Sequence, residues 1–482
     1  MVFSSPIFLF LFLPIVLTLY WFCPGVKARN YWLLITSLIF YAWGEILFLV
    51  LLCGSTFGNY LIGLWLDHYE EPRKRNAAIA VAVALNIGLL AFFKYANFVA
   101  DNLESVLHAL GLPPLHSNVR LPIGISFFTF HALSYVIDIY HRKSRAAANP
   151  ADTALYIFFF PQLIAGPILR WSAIAPQLLK RTATPDLFAE GVRRFVWGLA
   201  KKMIVANVVA VPADQIFGLN PEELSPSVAW FGLVCYTLQI YFDFSGYSDM
   251  AVGLGKMFGF KFIENFNYPY VSQSIKEFWR RWHISLSSWF RDYLYIPLGG
   301  NRVSTPRTCF NLVTVFFLCG LWHGASWTFV VWGLYHGAFL VLERTRFGGW
   351  IEALPRCLRH AYALLAVMGG WVLFRADTWA QATAYFGSLV GLGPSSLAQP
   401  LGRYATNQVF WSIAFGVVFA TPVWPWLRGT LARWAETRTG VRQTAVAVAG
   451  LVLDPLLMAT LLLISAAWLA GGTYNPFIYF RF

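Results

Sequence analysis

Residues Thr308 to Glu343 read TCFNLVTVFFLCGLWHGASWTFVVWGLYHGAFLVLE, two apolar stretches joined through a histidine set between glycines. The first stretch, about 15 residues from Thr308, rises only roughly 22 Å at ~1.5 Å per residue. A hydrocarbon layer is about 30 Å thick. A hairpin entered from one face by so short an arm leaves His323 inside the membrane. An ionisable group at that depth is costly and is by default a functional residue. Gly320 and Gly324 permit a close backbone approach or a helix break beside the imidazole. The plainer alternative is a core histidine bonded to a carbonyl of a neighbouring helix. His336, in the returning arm, reads as packing.

Composition extends the membrane reading to the whole chain. Of 482 residues 58% are hydrophobic and 12% charged, with mean hydropathy +0.56, too little polar surface for a soluble protein of this length. Aromatics reach 18%, with 21 Trp, which suits two interfacial belts and a lined cavity. The net charge of +13 does not point to nucleic acid, because the basic residues stand in short clusters between apolar stretches, as in cytoplasmic loops. Cys23, Cys53, Cys235, Cys309, Cys319 and Cys357 show neither CxxC spacing nor a disulfide framework and read as buried free thiols. Phe3 to Phe22 has no preceding Lys or Arg and no small-residue cleavage site, so it reads as a retained first membrane helix.

A spanning helix needs about 20 mainly apolar residues. Candidates are 3–22, 31–51, 53–66, 77–97, 121–138, 191–211, 227–247, 308–322, 327–343, 361–374, 408–426 and 446–470. The stretch 153–169 carries Pro161, Gly166 and Pro167 and reads as a re-entrant segment, tolerable at depth only inside protein or beside a water-filled cavity. Lys27/Arg29, Glu70 to Arg75 and His141 to Arg145 recur at every second helix. The alternate loops, Asp101 to Val119 and Pro212 to Ser227, hold acids and no Lys or Arg. This alternation puts the N terminus outside and the basic loops in the cytoplasm. The reading is one all-α polytopic unit over 1–482, with an exposed loop at Gly391 to Pro400.

Ser274 to Arg302, SIKEFWRRWHISLSSWFRDYLYIPLGGNR, is too charged to span and too aromatic for a solvated loop. On one helix Phe278, Trp282, Leu286 and Trp289 share a side, while Arg280, His283, Ser287 and Arg291 share another. An amphipathic interfacial helix over 274–302 is therefore expected. Its arginines either bind lipid headgroups or receive a phosphate-bearing donor such as coenzyme A or a carrier's phosphopantetheine arm. In QIYFDFSGYSD (Gln239 to Asp249), Asp243 and Asp249 fit ion pairs with those arginines. A proton-relay or substrate-orienting role is the sharper alternative. Asp138, His141 and His131 are weaker candidates. Walker spacing, G-x-S-x-G, HExxH and Cys/His zinc patterns are absent, which disfavours an ATP-driven pump, a serine hydrolase and a zinc protease. No metal site is read.

LPIGISFFTF (Leu121 to Phe130), FFPQLIAGPI (Phe159 to Ile168), QIYFDFSGYSDMAVGLG (Gln239 to Gly255), ENFNYPY (Glu264 to Tyr270), EFWRRWHISLSSWFRDYLYIPLGGNR (Glu277 to Arg302) and GLWHGASWTFVVWGLYHG (Gly320 to Gly337) follow in that order. Together they resemble the membrane-bound O-acyltransferase family, in its bacterial branch, over most of the chain. The ending NPFIYFRF (Asn475 to Phe482) is similar to its alginate-type members. The resemblance implies a ring-like helix bundle with re-entrant and interfacial helices around a central funnel, where donor and acceptor meet from opposite faces. It implies acyl transfer from a cytoplasmic thioester, acetyl-CoA or another, to a hydroxyl at or beyond the outer face, with no bound cofactor. The family's membrane histidine corresponds to His323, on the hairpin 308–343, and its second histidine to His283.

Chemistry adds roles to these positions. A neutral imidazole at His323 suits removal of the alcohol proton. Ser326, the N–H groups beside Gly324, and the indoles of Trp322 and Trp327 are candidates to hold the oxyanion. Arg280, Arg281, Trp282 and Arg291, with Asp243 and Asp249, complete the expected substrate contacts. An acyl-Cys319, acyl-histidine chemistry and relay to a separate periplasmic O-acetyltransferase partner stay open. The expected acceptor is an exopolysaccharide, alginate first, at a bacterial inner membrane and in contact with its lipid. The alternatives are D-alanyl or other acyl transfer to a cell-wall polymer, a polysaccharide transporter, and a non-catalytic scaffold.

Overall fold

Long apolar runs fold as helices here because a backbone in hydrocarbon must satisfy its own N–H and C=O groups. The computed structural model describes residues 1–113, 117–393, 399–436, 441–472 and 474–476, and among them there is no strand. The loop expected at Gly391 to Pro400 falls partly outside the described residues, at 394–398, as does the end of NPFIYFRF from 477. Among the described residues five helices are long and apolar enough to cross a membrane: Gly25–His68, Pro72–Ala109, Pro185–Phe217, Arg356–Arg375 and Val452–Ala470. Asn407–Phe419 and Val423–Thr430 add a pair bent by 62° where a single helix over 408–426 is expected. The chain is an all-α polytopic membrane protein.

The two helices expected at 31–51 and 53–66 are the two arms of Gly25–His68, which meet at a kink at the non-helical Glu45 (φ −147°, ψ 59°) rather than near residue 52. Glu45 is buried and pairs with Arg120 at 3.4 Å, and Met1 lies beside Gly44. The bend thus sits at the face that carries the N terminus. At the opposite face Arg75 donates to the carbonyls of Ile139 (3.2 Å) and Tyr140 (2.6 Å), and Arg142 pairs with Glu70 at 3.5 Å. Trp171 donates to the carbonyl of Arg145, and at the far end of its short helix, Trp171–Leu179, Leu178 accepts from Asn30. The three basic clusters therefore share one face, the basic face, as their alternation along the sequence requires.

The proline-broken stretch 153–169 leaves the basic face and returns to it. Pro150–Phe158 and Phe160–Leu163 are helical, and the irregular backbone beyond them is satisfied by side chains. Phe160 N–H donates to Ser37 Oγ (3.1 Å), Ile168 N–H to Ser285 Oγ (3.0 Å) and Leu169 N–H to His131 Nε2 (3.3 Å). Asp138 closes the returning end, accepting from Ser172 N–H at 2.9 Å and Tyr293 OH at 2.6 Å. Irregular backbone survives at depth only when enclosed in this way. His131 and Asp138 thereby acquire structural duties.

Pro226–Met257 is buried along nearly its whole length and packs on Pro185–Ala200 through facing glycines. A Cβ at Gly198 would strike the carbonyl of Gly246, and one at Gly253 that of Gly191. That closeness decides the partners of the two acids. Asp249 pairs with Arg194 (2.7 Å) and Lys201 (2.6 Å), and Asp243 with Lys202 (2.5 Å). The pairs expected with arginines of the 274–302 segment give way to cations one glycine contact away. A π-helical turn, Lys201–Ala206, lets both lysines reach the same neighbouring helix.

Candidate functional site

The hairpin is Thr305–His323 returning as Trp327–Leu342. Its arms touch backbone to backbone, since a Cβ at Gly320 would meet the Phe329 carbonyl and one at Gly333 that of Phe316. The first arm stops at His323, where Gly324 turns extended. A helix end inside a membrane leaves carbonyls without partners. Here each is supplied: Gly324 N–H donates to Gly320 O (3.3 Å), Tyr95 OH to Leu321 O, and Lys94 Nζ to the carbonyls of Trp322 and His323, the latter at 3.0 Å. Both donors come from Pro72–Ala109. Neither Lys94 nor Tyr95 is among the sequence candidates, although a single lysine in the apolar run 77–97 is the signal that marks one.

The His323 ring packs against Trp322 (4.8 Å between centroids), Trp332 (4.9 Å) and Phe374 (5.2 Å). Among the described residues no group is hydrogen-bonded to its ring nitrogens, which leaves them available to a substrate. On the far side of Trp322 lies His283, 6.3 Å from the indole. The single amphipathic helix expected over 274–302 is in fact two short ones, Ile275–Arg281 and Ile284–Phe290, broken at a left-handed His283 (φ 44°). The break turns His283 out of the polar face it would share with Arg280 and Arg291 and buries it completely.

Asn265 holds the break. Its Oδ1 accepts from Ser285 N–H (3.1 Å), Ser285 Oγ (2.9 Å) and His283 Nδ1 (3.1 Å), and its backbone carbonyl accepts from Ile284 N–H at 2.9 Å. A backbone N–H can only donate, so that atom of Asn265 must be oxygen, and His283 Nδ1 must carry the proton. Nε2 is then the basic nitrogen, buried and without a partner among the described residues. Should His283 serve the acyl transfer that the family resemblance implies, Asn265→Leu is expected to lower it by about 10- to 100-fold, the scale of losing a residue that orients a histidine ligand. Asn265→Asp, which keeps the acceptor oxygen, should retain more. O-acetyl content at matched protein levels checks both.

Cavities approach from both faces. The basic face opens into one of about 700 Å³, with Lys276, Arg280, Arg291 and Arg344 at its rim and Phe316 and Cys319 at depth. Lys276 and Arg280 have no carboxylate partner among the described residues, and Glu343 instead caps Ile275–Arg281 by accepting from Ile275 N–H at 2.6 Å. Burial pushes the Asp292 carboxyl up, but Arg291 and Arg170 prevail and hold it below the usual carboxylate range. From the N-terminal face come cavities of about 160 Å³, bordered by His323, Trp322 and Lys94, and about 260 Å³, bordered by Lys94, Ser326, Tyr236 and Arg375. Cys319 and His323 are one helical turn apart, about 6 Å along the axis.

The sequence candidates sort on this frame. His323, His283 and Trp322 come together at the centre, and the Trp322 indole N–H is buried with no partner among the described residues. Arg280 and Arg291 line the basic cavity, and Ser326, which caps Trp327–Leu342, lines the other side. Arg281 is tied to Glu277 (2.9 Å) and the Asn267 carbonyl (3.1 Å), while Trp282 is packed among Phe266, Phe278 and Trp371. Trp327 is exposed and donates to Asn102 at 3.0 Å, and Asp243 and Asp249 stay in their ion pairs, so these residues lie outside the central group.

Residues 141–350 match the family model of the membrane-bound O-acyltransferases. A probable alginate O-acetylase of Pseudomonas putida is 43% identical, and one of Azotobacter vinelandii 42%, each over the whole of both chains. A peptidoglycan O-acetyltransferase of Helicobacter pylori is 36% identical over 86% of either chain.

Proposed function

The chain belongs to the membrane-bound O-acyltransferase family, and from that premise we propose that it takes acetyl from a cytoplasmic thioester and passes it across the membrane toward hydroxyls of an exopolysaccharide of alginate type. The observation that carries this reading is the pair of approaches, cationic from one face and open from the other, that end one helical turn apart at Cys319 and His323. Acetyl is preferred over D-alanyl because the relatives matched along most or all of their length are named for O-acetylation of alginate or peptidoglycan. The basic face is cytoplasmic by the positive-inside rule, which makes the N terminus periplasmic in a bacterial inner membrane.

In this reading Lys276, Arg280 and Arg291 receive the phosphates of acetyl-CoA or a similar donor. The acceptor oxygen attacks the thioester carbonyl carbon while its proton passes to the His323 imidazole. The carbonyl electron pair moves onto oxygen, beside the unpartnered Trp322 indole. Collapse restores the carbonyl and breaks the C–S bond, and the imidazolium returns its proton to the departing thiolate. His283, with Nε2 free, orders the groups around Trp322. The acceptor is the polymer itself or a periplasmic transferase that relays the acetyl group.

Inverted membrane vesicles given labelled acetyl-CoA test the donor side. Vesicles bearing the protein should transfer label to the polysaccharide. Arg280→Glu with Arg291→Glu should raise KM for acetyl-CoA by about tenfold or more, the worth of one or two charge-assisted contacts. An unchanged KM would remove the basic cavity as the donor entrance.

A further inference from the structure

Lys94 is the buried cation that the acyl-transfer reading leaves unused. It is only 8% exposed, in a helix long and apolar enough to cross the membrane. Buried Lys202 has Asp243 and buried Arg375 has Asp214, and the half-buried Arg194 and Lys201 share Asp249, while buried Arg75 rests on carbonyls as Lys94 does but borders neither of the cavities beside His323 and Ser326. Lys94 has none among the described residues. Its described partners are the carbonyls of Trp322 and His323, with the Trp322 ring 5.9 Å away. An ammonium has three protons, and these bonds use two. Lys94 also borders both cavities that open from the N-terminal face, one of them with His323 and the other with Ser326.

A buried charge without a counter-ion is strongly disfavoured, and within a membrane a charged residue that faces an internal cavity marks a substrate or ion path. We propose that Lys94 is an anion-binding residue of the catalytic centre, its third N–H kept for an anionic oxygen of the substrate beside His323. Two sources share that chemistry. One is the oxygen that gains the carbonyl electron pair when the hydroxyl attacks the thioester. The other is a carboxylate on an acidic acceptor. In either case the same ammonium locks the end of the helix that carries His323, so the base and the positive charge are fixed to each other. The inference rests on the acyl-transfer reading, and the two fail differently. Transfer that needs His323 but not Lys94 removes the lysine alone, whereas transfer that ignores His323 removes the reading beneath it.

The test compares wild type, Lys94→Gln and Lys94→Arg as full-length protein in vesicles. Acetyl-CoA is the donor, and the acceptor is an alginate oligomer or the same oligomer with its carboxyls reduced. Glutamine offers two N–H donors to the carbonyls on a side chain one bond shorter and removes the charge and the third N–H, so its melting temperature is read beside transfer and should stay near wild type. Lys94→Gln is expected to lose about 100-fold in transfer, on the scale of removing one oxyanion donor, while Lys94→Arg keeps a larger share. Equal loss on both oligomers, in kcat, assigns the oxyanion. Loss confined to the charged oligomer, in KM, assigns the acceptor carboxylate. Should Lys94→Gln fold poorly, Lys94→Ala supplied with ethylammonium, which can enter either cavity, is expected to regain activity. Undiminished transfer by Lys94→Gln on both oligomers, or an alanine variant that ethylammonium does not restore, overturns the proposal.

Discussion

Replacing His323 by alanine should lower polysaccharide O-acetylation by about 100- to 10,000-fold, the range for losing a positioned general base. Among the described residues the other basic imidazole of the central group, His283, lies beyond the Trp322 indole and not in contact with the His323 ring. Trp322, Trp332 and Phe374 enclose the ring with apolar faces, and the Cys319 thiol lies one turn back on the donor side. The fold should tolerate the change. The helix end is held by bonds from Lys94 and Tyr95 to main-chain carbonyls, which alanine keeps. O-acetyl content of secreted polymer, with membrane levels of the protein measured in parallel, decides the matter. Normal acetylation would end the case for His323 as the base and return weight to a transport or scaffold role.

His323 was accessible from sequence because two local signals converge on it: an arm too short to cross, and glycines where the backbone must touch. Both are one-dimensional facts. The single helix expected around His283 is broken there, because helical periodicity cannot foresee a left-handed residue held by Asn265 from another loop. The bend at Glu45 was hidden for a similar reason: its buried acid is answered by Arg120, 75 residues away. Lys94 is different. Its isolation in an apolar run was visible, but its meaning depends on a helix end more than 200 residues further along, and only the packed bundle brings the two together. The Trp327 indole stands at the surface on Asn102, because proximity in sequence to His323 does not fix direction past the turn at Gly324.

Asp243 shows how a site residue and a structural one can be separated. Asp243 and Lys202 are each 2% exposed at the side chain and stand 2.5 Å apart, and Lys202 also donates to the Pro476 carbonyl at 2.6 Å. The pair joins the central helix Pro226–Met257 to Pro185–Phe217 and to the C-terminal segment. Removing one partner of such a pair leaves an uncompensated charge, at a cost of about 3–5 kcal/mol. Lys202→Met alone should therefore destabilise the protein by that amount. Lys202→Met with Asp243→Leu should recover most of it, because an apolar pair of similar volume is often as stable as a buried ion pair. The double variant separates the roles. If Asp243 orients substrate or relays protons, restored stability would come without restored acetylation. If it serves the fold, as its geometry indicates, both return together. Thermal unfolding in detergent, read beside O-acetyl content for the single and double variants, distinguishes the outcomes, and recovery of stability alone would return Asp243 to the catalytic centre.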